Sequence, residues 1–208
     1  YSFFGVNNSV SGVGFNIAKS LNILGNEIKF LSMIGKDNIS EIIKNALKSN
    51  NISDKYIIEN MEQTPESVIL FDKIGRRQIY LDLKNIQRLE YPEKNFNEAL
   101  NDCDTALLCN INFSRKFLKS AKAMKKIIAT DVHTISNLDD EYNNDFMKYA
   151  DILFMSNESL PCTPVDWINL VKKRFGNEII VIGLGADGVL ISIKSMNIIE
   201  KLNAVHPK

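Results

Sequence analysis

A serine, two glycines and an asparagine share one short stretch, Ser11-Gly12-Val13-Gly14-Phe15-Asn16. Glycine lets the chain turn sharply and lets a ligand approach the backbone. A carboxamide can donate to one hydroxyl of a vicinal pair and accept from the other. The chemistry this permits is the reading of sugar hydroxyls by Gly12, Gly14 and Asn16, and the same residues serve equally as a loop closed by an Asn helix cap. Further polar residues follow short apolar runs: Gly35-Lys36-Asp37, Asn110, Asp131, Asn157-Glu158 and Gly183-Leu184-Gly185. Each alone is an ordinary turn or cap residue. Ligands of open parallel sheets, however, bind beyond the carboxyl ends of the strands, so a shared rim is the stronger pointer.

Gly183-Leu184-Gly185-Ala186-Asp187-Gly188 spells GxGxxG after an apolar run. A dinucleotide fingerprint must open a helix early in a βαβ unit. Here a β-rich run over 189–193 follows, then another over 198–202, as in a hairpin. The spacing therefore argues against an oxidoreductase, a reading that would require a helix after Gly188.

The elements that must position these residues alternate. A helix is expected over 17–24, stopped by Gly25, then a strand over 28–34 and a helix with Ile39, Ile42, Ile43, Ala46 and Leu47 on one face. Strands are expected over 105–109, 127–130, 152–155 and 178–182. Between them lie a helix capped by Ser114 with Phe117, Leu118, Ala121 and Met124 inward, and another over 142–150. A third begins at Thr163-Pro164-Val165-Asp166 and buries Trp167, Leu170 and Val171 before Gly176. Short apolar strands spaced by helices call for an α/β fold whose parallel sheet is covered on both faces. One block breaks the rhythm: 55–59, 67–73 and 77–83 read as consecutive strands, the last two joined through Ile74-Gly75-Arg76, with 2–6 as another.

With 208 residues and 45% apolar content the chain can bury a real core, expected as one main domain plus a small appendage. Lys plus Arg equals Asp plus Glu, 25 each, so no net field draws the protein to nucleic acid or an acidic membrane, and a small-molecule partner is expected. Cys103, Cys109 and Cys162 lack CxxC spacing and, with His133 and His206, make no zinc set. They read as inert thiols in a reducing compartment, with a catalytic Cys/His pair as the alternative. No apolar run reaches the roughly 18 residues of a membrane span and no signal peptide opens the chain, which makes the cytoplasm the expected location.

The register from Ser11 to Asp37 resembles the first sugar-binding signature of the ribokinase-like, PfkB-type carbohydrate kinases, GGxxxN then AxxLxxLG then a strand ending GxD. Ser11 stands for the first Gly, and Gly12, Asn16, Ala18, Leu21, Leu24, Gly25, Gly35 and Asp37 fall on the pattern. The wording Gly-Val-Gly-x-Asn-Ile-Ala is nearest to the pseudouridine kinase branch, which usually carries Arg where this chain has Phe15. The resemblance implies a three-layer ribokinase-like core over 11–54 and 86–208. It also implies a small antiparallel β lid over 1–10 and 55–85, which in several members pairs two subunits into a homodimer.

In activity the resemblance implies ATP-dependent, magnesium-requiring phosphorylation of a hydroxymethyl group on a sugar or nucleoside-like compound. Substrate contacts would come from Gly12, Gly14, Asn16, Gly35 and Asp37, nucleotide contacts from Gly183, Gly185 and Gly188, and the magnesium water shell from Asn157 and Glu158. The family's Thr is Gly183 here, the Glu of its NxxE motif is Leu160, and of its Asp, Asn and Arg set only Asp131 agrees. The family's base lies in a GAGD motif, with helix amides as anion hole. Val205-His206-Pro207-Lys208 resembles the approach to it. The first core strand and the final catalytic third are therefore expected to be missing, with no catalytic base within these residues. The alternative is a non-catalytic sugar-binding or regulatory protein on the same scaffold.

Overall fold

The structure is a computed structural model that describes residues 5–73 and 76–205. It divides into two compact units, Tyr1–Ala99 and Leu100–Lys208.

The first unit begins with helix α1 (Val13–Ile23), then strand β1 (Ser32–Gly35), helix α2 (Asn38–Ser49) and strand β2 (Ile57–Met61). Strands β3 (Glu66–Phe71) and β4 (Arg77–Asp82) follow, and helix α3 (Glu93–Asn101) leads into the second unit. The helix expected from 17 starts four residues earlier, at Val13, because Gly12 turns the chain at φ +124° and its carbonyl accepts the first helical bond from Asn16 N–H at 2.9 Å. Phe15 and Ala18 on α1 are buried with Leu47 of α2 and Ile52, and Ile28 and Phe30 pack against them. That packing explains the apolar run over 28–34, of which only the part from Ser32 pairs as strand.

β1 and β2 pair in parallel, from Ser32 with Ile57 to Gly35 with Met61. The segment expected to join an antiparallel sheet thus belongs with the strand ahead of it. An apolar alternation fixes which face a strand buries but not its partner. The antiparallel sheet is the β3–β4 hairpin alone, paired from Glu66 with Asp82 to Phe71 with Arg77, and every residue on it is exposed. Ile74 and Gly75 of its expected turn lie outside the described residues, as do residues 2–4 of the expected opening strand, whose Gly5 and Val6 form none.

The second unit runs β5 (Thr105–Leu107), α4 (Asn112–Arg115), α5 (Phe117–Ala123), β6 (Ile127–Thr134), α6 (Asn144–Tyr149) and β7 (Ile152–Ser156). It continues through α7 (Pro164–Phe175), β8 (Ile179–Gly183), β9 (Val189–Ile193) and β10 (Ile198–Leu202). The strands form one sheet in the order β10-β9-β8-β7-β6-β5, parallel from β5 to β8 and antiparallel from β8 through β10. Parallel neighbours need a crossover, and a helix or helix pair supplies it each time. α7 shows why the local sequence suffices. Thr163 Oγ1 accepts from Asp166 N–H at 3.2 Å, Pro164 occupies the first turn, and Gly176 ends the helix at φ +72°. Trp167, Ile168 and Val171 are its buried residues. Leu170, expected inward, is 45% exposed, because Ile168 holds the adjacent inward position. Ser114 lies inside α4 rather than capping the next helix, since the chain turns helical already at Asn112.

Candidate functional site

In the first unit the sugar-reading candidates fall into two groups, the first turn of α1 and the tip of β1. Gly12 is the N-cap of α1, and among the described residues nothing beyond its own chain neighbours lies within 4 Å of where its Cβ would stand. Gly14 occupies the second helical position, and Asn16 follows in the same turn, exposed, with Nδ2 donating to Ser11 Oγ at 3.1 Å. Asn16 caps nothing, because Gly12 holds the cap position, so its carboxamide is not explained by helix termination.

The second group is closely knit. Asp37 is the N-cap of α2, where its Oδ1 accepts from Ile39 N–H (3.1 Å) and Ser40 N–H (3.2 Å). Thr64, after β2, donates its amide to Asp37 Oδ2 (2.6 Å) and its hydroxyl to Asp37 Oδ1 (3.0 Å), while Thr64 Oγ1 accepts from Gly35 N–H (2.9 Å). The Thr64 amide is the main reason the Asp37 carboxyl is held below the usual aspartate range, against a smaller opposing cost of desolvation. Gly35 admits this approach, since a Cβ there would stand 2.4 Å from Thr64 N and 2.6 Å from Asp37 Oδ2.

In the second unit the strand ends converge on one rim. Asn157 N–H donates to Gly183 O at 3.1 Å, so the two polar segments after β7 and β8 are hydrogen-bonded neighbours. Asn157 and Glu158 are exposed, and Glu158 N–H donates to Ser156 Oγ at 3.3 Å. Beyond Gly183 the chain makes a tight 3-10 turn in which Leu184 N–H bonds Gly188 O (2.8 Å) and Gly188 N–H bonds Gly185 O (3.2 Å). Gly185 sits exposed at φ +61° with open space beyond its Cα. Gly188 differs: at φ +95° a Cβ would lie 2.0 Å from Leu202 O, so this glycine lets the segment after β10 cross over the turn. β9 and β10 follow as a hairpin where a dinucleotide site would need a helix.

Beside β7, strand β6 carries Asp131, whose Oδ1 accepts from His133 N–H at 2.8 Å, with His133 in the left-handed region at φ 58° and the register to β7 shifting between Asp131 and Thr134. Beyond β5, burial pushes the Cys109 thiol up to about 11, with the Asp131 charge adding to it, so this cysteine stays a neutral thiol. Asn110 follows it and is anchored twice: its Nδ2 donates to Asn143 Oδ1 (3.0 Å) and its carbonyl accepts from Tyr142 Oη–H (2.8 Å). Arg115 stacks 4.8 Å from the centres of both the Tyr142 and Phe146 rings and donates to Tyr142 O at 2.8 Å. This support was not foreseen. Its members are distant in sequence, and single Asn, Tyr and Arg residues carry no periodicity. Thr64 escaped for the same reason, in the polar stretch Glu62-Gln63-Thr64-Pro65.

This rim offers open backbone at Gly185 and two exposed polar side chains, Asn157 and Glu158. The open Gly185 backbone leaves room for phosphate oxygens. Among the described residues no group of three or more His, Cys, Asp and Glu could hold a metal ion. One carboxamide and one carboxylate suit magnesium, which keeps most of its waters. Among the described residues no helix is long and apolar enough to cross a membrane.

The sequence profile described as pfkB family carbohydrate kinase matches residues 4–205. No curated protein matches the chain. Among solved structures, a microbiome-derived acarbose kinase is 20% identical, with TM-score 0.81 over 98% of this chain and 70% of its own. The Burkholderia thailandensis nucleoside kinase, solved in complex with inosine, is 13% identical, with TM-score 0.72 over 96% of this chain and 69% of its own. A Thermotoga maritima ribokinase is 22% identical, with TM-score 0.67 over 95% of this chain and 67% of its own. The fold is thus the ribokinase-like α/β fold, with a mostly parallel sheet and a small antiparallel one.

Proposed function

The chain belongs to the pfkB family of carbohydrate kinases, and from that premise we propose that the protein transfers the γ-phosphoryl group of ATP to a hydroxymethyl group of a sugar or nucleoside-like compound. The observation that carries the reading within the chain is the bond from Asn157 N–H to Gly183 O, which joins the proposed metal and nucleotide segments at one strand edge. Asn16, with Gly12 and Gly14, reads substrate hydroxyls; Gly35 and Asp37 shape the neighbouring loop. Asn157 and Glu158 hold the magnesium water shell, and Gly183, Gly185 and Gly188 form the turn that meets the nucleotide. Bound magnesium would neutralise phosphate charge. A nucleoside substrate, pseudouridine included, stands beside simple sugars in this reading. The exposed β3–β4 hairpin is proposed as lid and as the pairing surface of a homodimer.

Gly183 and Leu160, where the family carries Thr and Glu, favour a second reading of binding without catalysis. Leu160 is half-buried and its N–H donates to Asn157 O at 3.3 Å, which leaves no carboxylate at that position. The test is phosphorylation of ribose, fructose, fructose phosphates, inosine and pseudouridine by the full-length protein with ATP and magnesium, run alongside thermal shift with each compound. Transfer to one of them is expected. Binding without transfer replaces the kinase by the second reading, and neither binding nor transfer overturns both.

A further inference from the structure

We infer that Thr64 is a positioning residue that fastens the base of the β3–β4 hairpin to the polar tip of β1, so that the loop offered to a substrate and the hairpin shift together.

One carboxylate serves two structures. Capping α2 needs a single oxygen of Asp37, and Oδ1 meets that need through Ile39 and Ser40. Oδ2 is given to the Thr64 amide, and the Thr64 hydroxyl sits between Gly35 N–H and Asp37 Oδ1. A plain helix cap would not require Thr64, and a plain turn after β2 would not require Gly35 to leave its Cβ space to Thr64 N, Gln63 C and Asp37 Oδ2. Thr64 itself is 4% exposed, so its hydroxyl bonds are shielded from water.

From this pin the hairpin starts at once. Pro65, whose ring fixes φ, is the only residue between Thr64 and Glu66, the first residue of β3. Across the ladder Glu66 faces Asp82, which binds Lys84 through its backbone N–H (3.0 Å) and ammonium group (2.5 Å). Lys84, in the left-handed region at φ 50°, also lies within electrostatic reach of Glu66 and Asp37. Both legs of the hairpin therefore return to the Asp37 neighbourhood. The twelve ladder residues are all exposed, so no buried face of their own holds them in place. The functional consequence rests on the proposed substrate role of Gly35 and Asp37; the fastening does not.

The experiment compares wild type, Thr64→Val, which keeps the shape and loses the hydroxyl, and Thr64→Ser, which keeps the hydroxyl. Hydrogen exchange without ligand is followed at Ile39, Ser40 and the hairpin-base amides of 66–67 and 81–82. In Thr64→Val the hairpin-base amides should exchange roughly tenfold faster, as expected when shielded hydrogen bonds are lost, with Thr64→Ser within about threefold of wild type. With the substrate found by the phosphorylation screen, Thr64→Val should raise KM and leave kcat near wild type, and Thr64→Ser should restore KM. Hairpin exchange in Thr64→Val equal to wild type, or Thr64→Ser matching Thr64→Val, overturns the fastening. A protein that phosphorylates nothing but shows the exchange pattern overturns the kinase reading and leaves the fastening standing.

Discussion

In the proposed function Asn16 is the residue that reads substrate hydroxyls, and its surroundings make that role testable. With Gly12 as the cap of α1, the carboxamide has no duty at the helix end, and among the described residues its hydrogen-bond partner is the exposed Ser11 hydroxyl at 3.1 Å. Asn16→Ala should therefore leave the urea midpoint nearly unchanged while lowering kcat/KM by about tenfold to a hundredfold, the range for a polar partner left unpaired. An unchanged specificity constant would retire the role. Asp37 makes the opposite case, a site candidate with a full structural load. Its carboxyl is held low first by the Thr64 amide, so the linked stability is present above the unfolded aspartate pKa, about 4, and is lost as pH falls through the lower folded value. Wild type should lose more stability than Asp37→Asn on acidification from about pH 5 toward pH 3. Parallel losses measured by urea unfolding at each pH would contradict this.

Two hairpins at the element scale show how the same local pattern acquires different duties. The β9–β10 pair extends the sheet of the second unit, and Gly188 lets the strand after it cross within contact of the turn. Gly188→Ala combines a backbone angle alanine disfavours with a collision against Leu202 O, and should cost about 3 kcal/mol. Loss of a few tenths only would mean that the crossing segment yields. The β3–β4 hairpin instead shows apolar side chains on both faces, among them Phe71 at 67% exposure on the face of Ile79 and Leu70 at 54% on the other. If it pairs two copies, Ile79→Asp should halve the mass seen in sedimentation without moving the unfolding midpoint by more than about 0.5 kcal/mol. A wild type already monomeric at micromolar concentration would remove the dimer.

For the whole molecule, ligand linkage is the broadest check. Magnesium-ATP at about a hundred times its Kd should raise Tm by roughly 5–10 °C, and no shift at millimolar nucleotide would count against a nucleotide site. The alternation of elements, the helix start at Thr163 and stop at Gly176, the hairpin after Gly188 and the family register were legible in the chain. Each depends on neighbours a few residues apart, where side-chain type sets local geometry. Strand partners were not: 55–59 reads as a member of an antiparallel sheet until β1 is seen beside it, because an alternating strand specifies a face and not a neighbour. Nor was the work of Thr64, Asn143 or Arg115, whose bonds span 27 to 33 residues. The sequence alone supplied the candidates for sugar and phosphate chemistry and the alternation of elements that carries them. Only the tertiary structure decided that Asn157 meets Gly183, and that Asp37 is shared between a helix and a hairpin, because such contacts arise from chain crossings that no local spacing encodes.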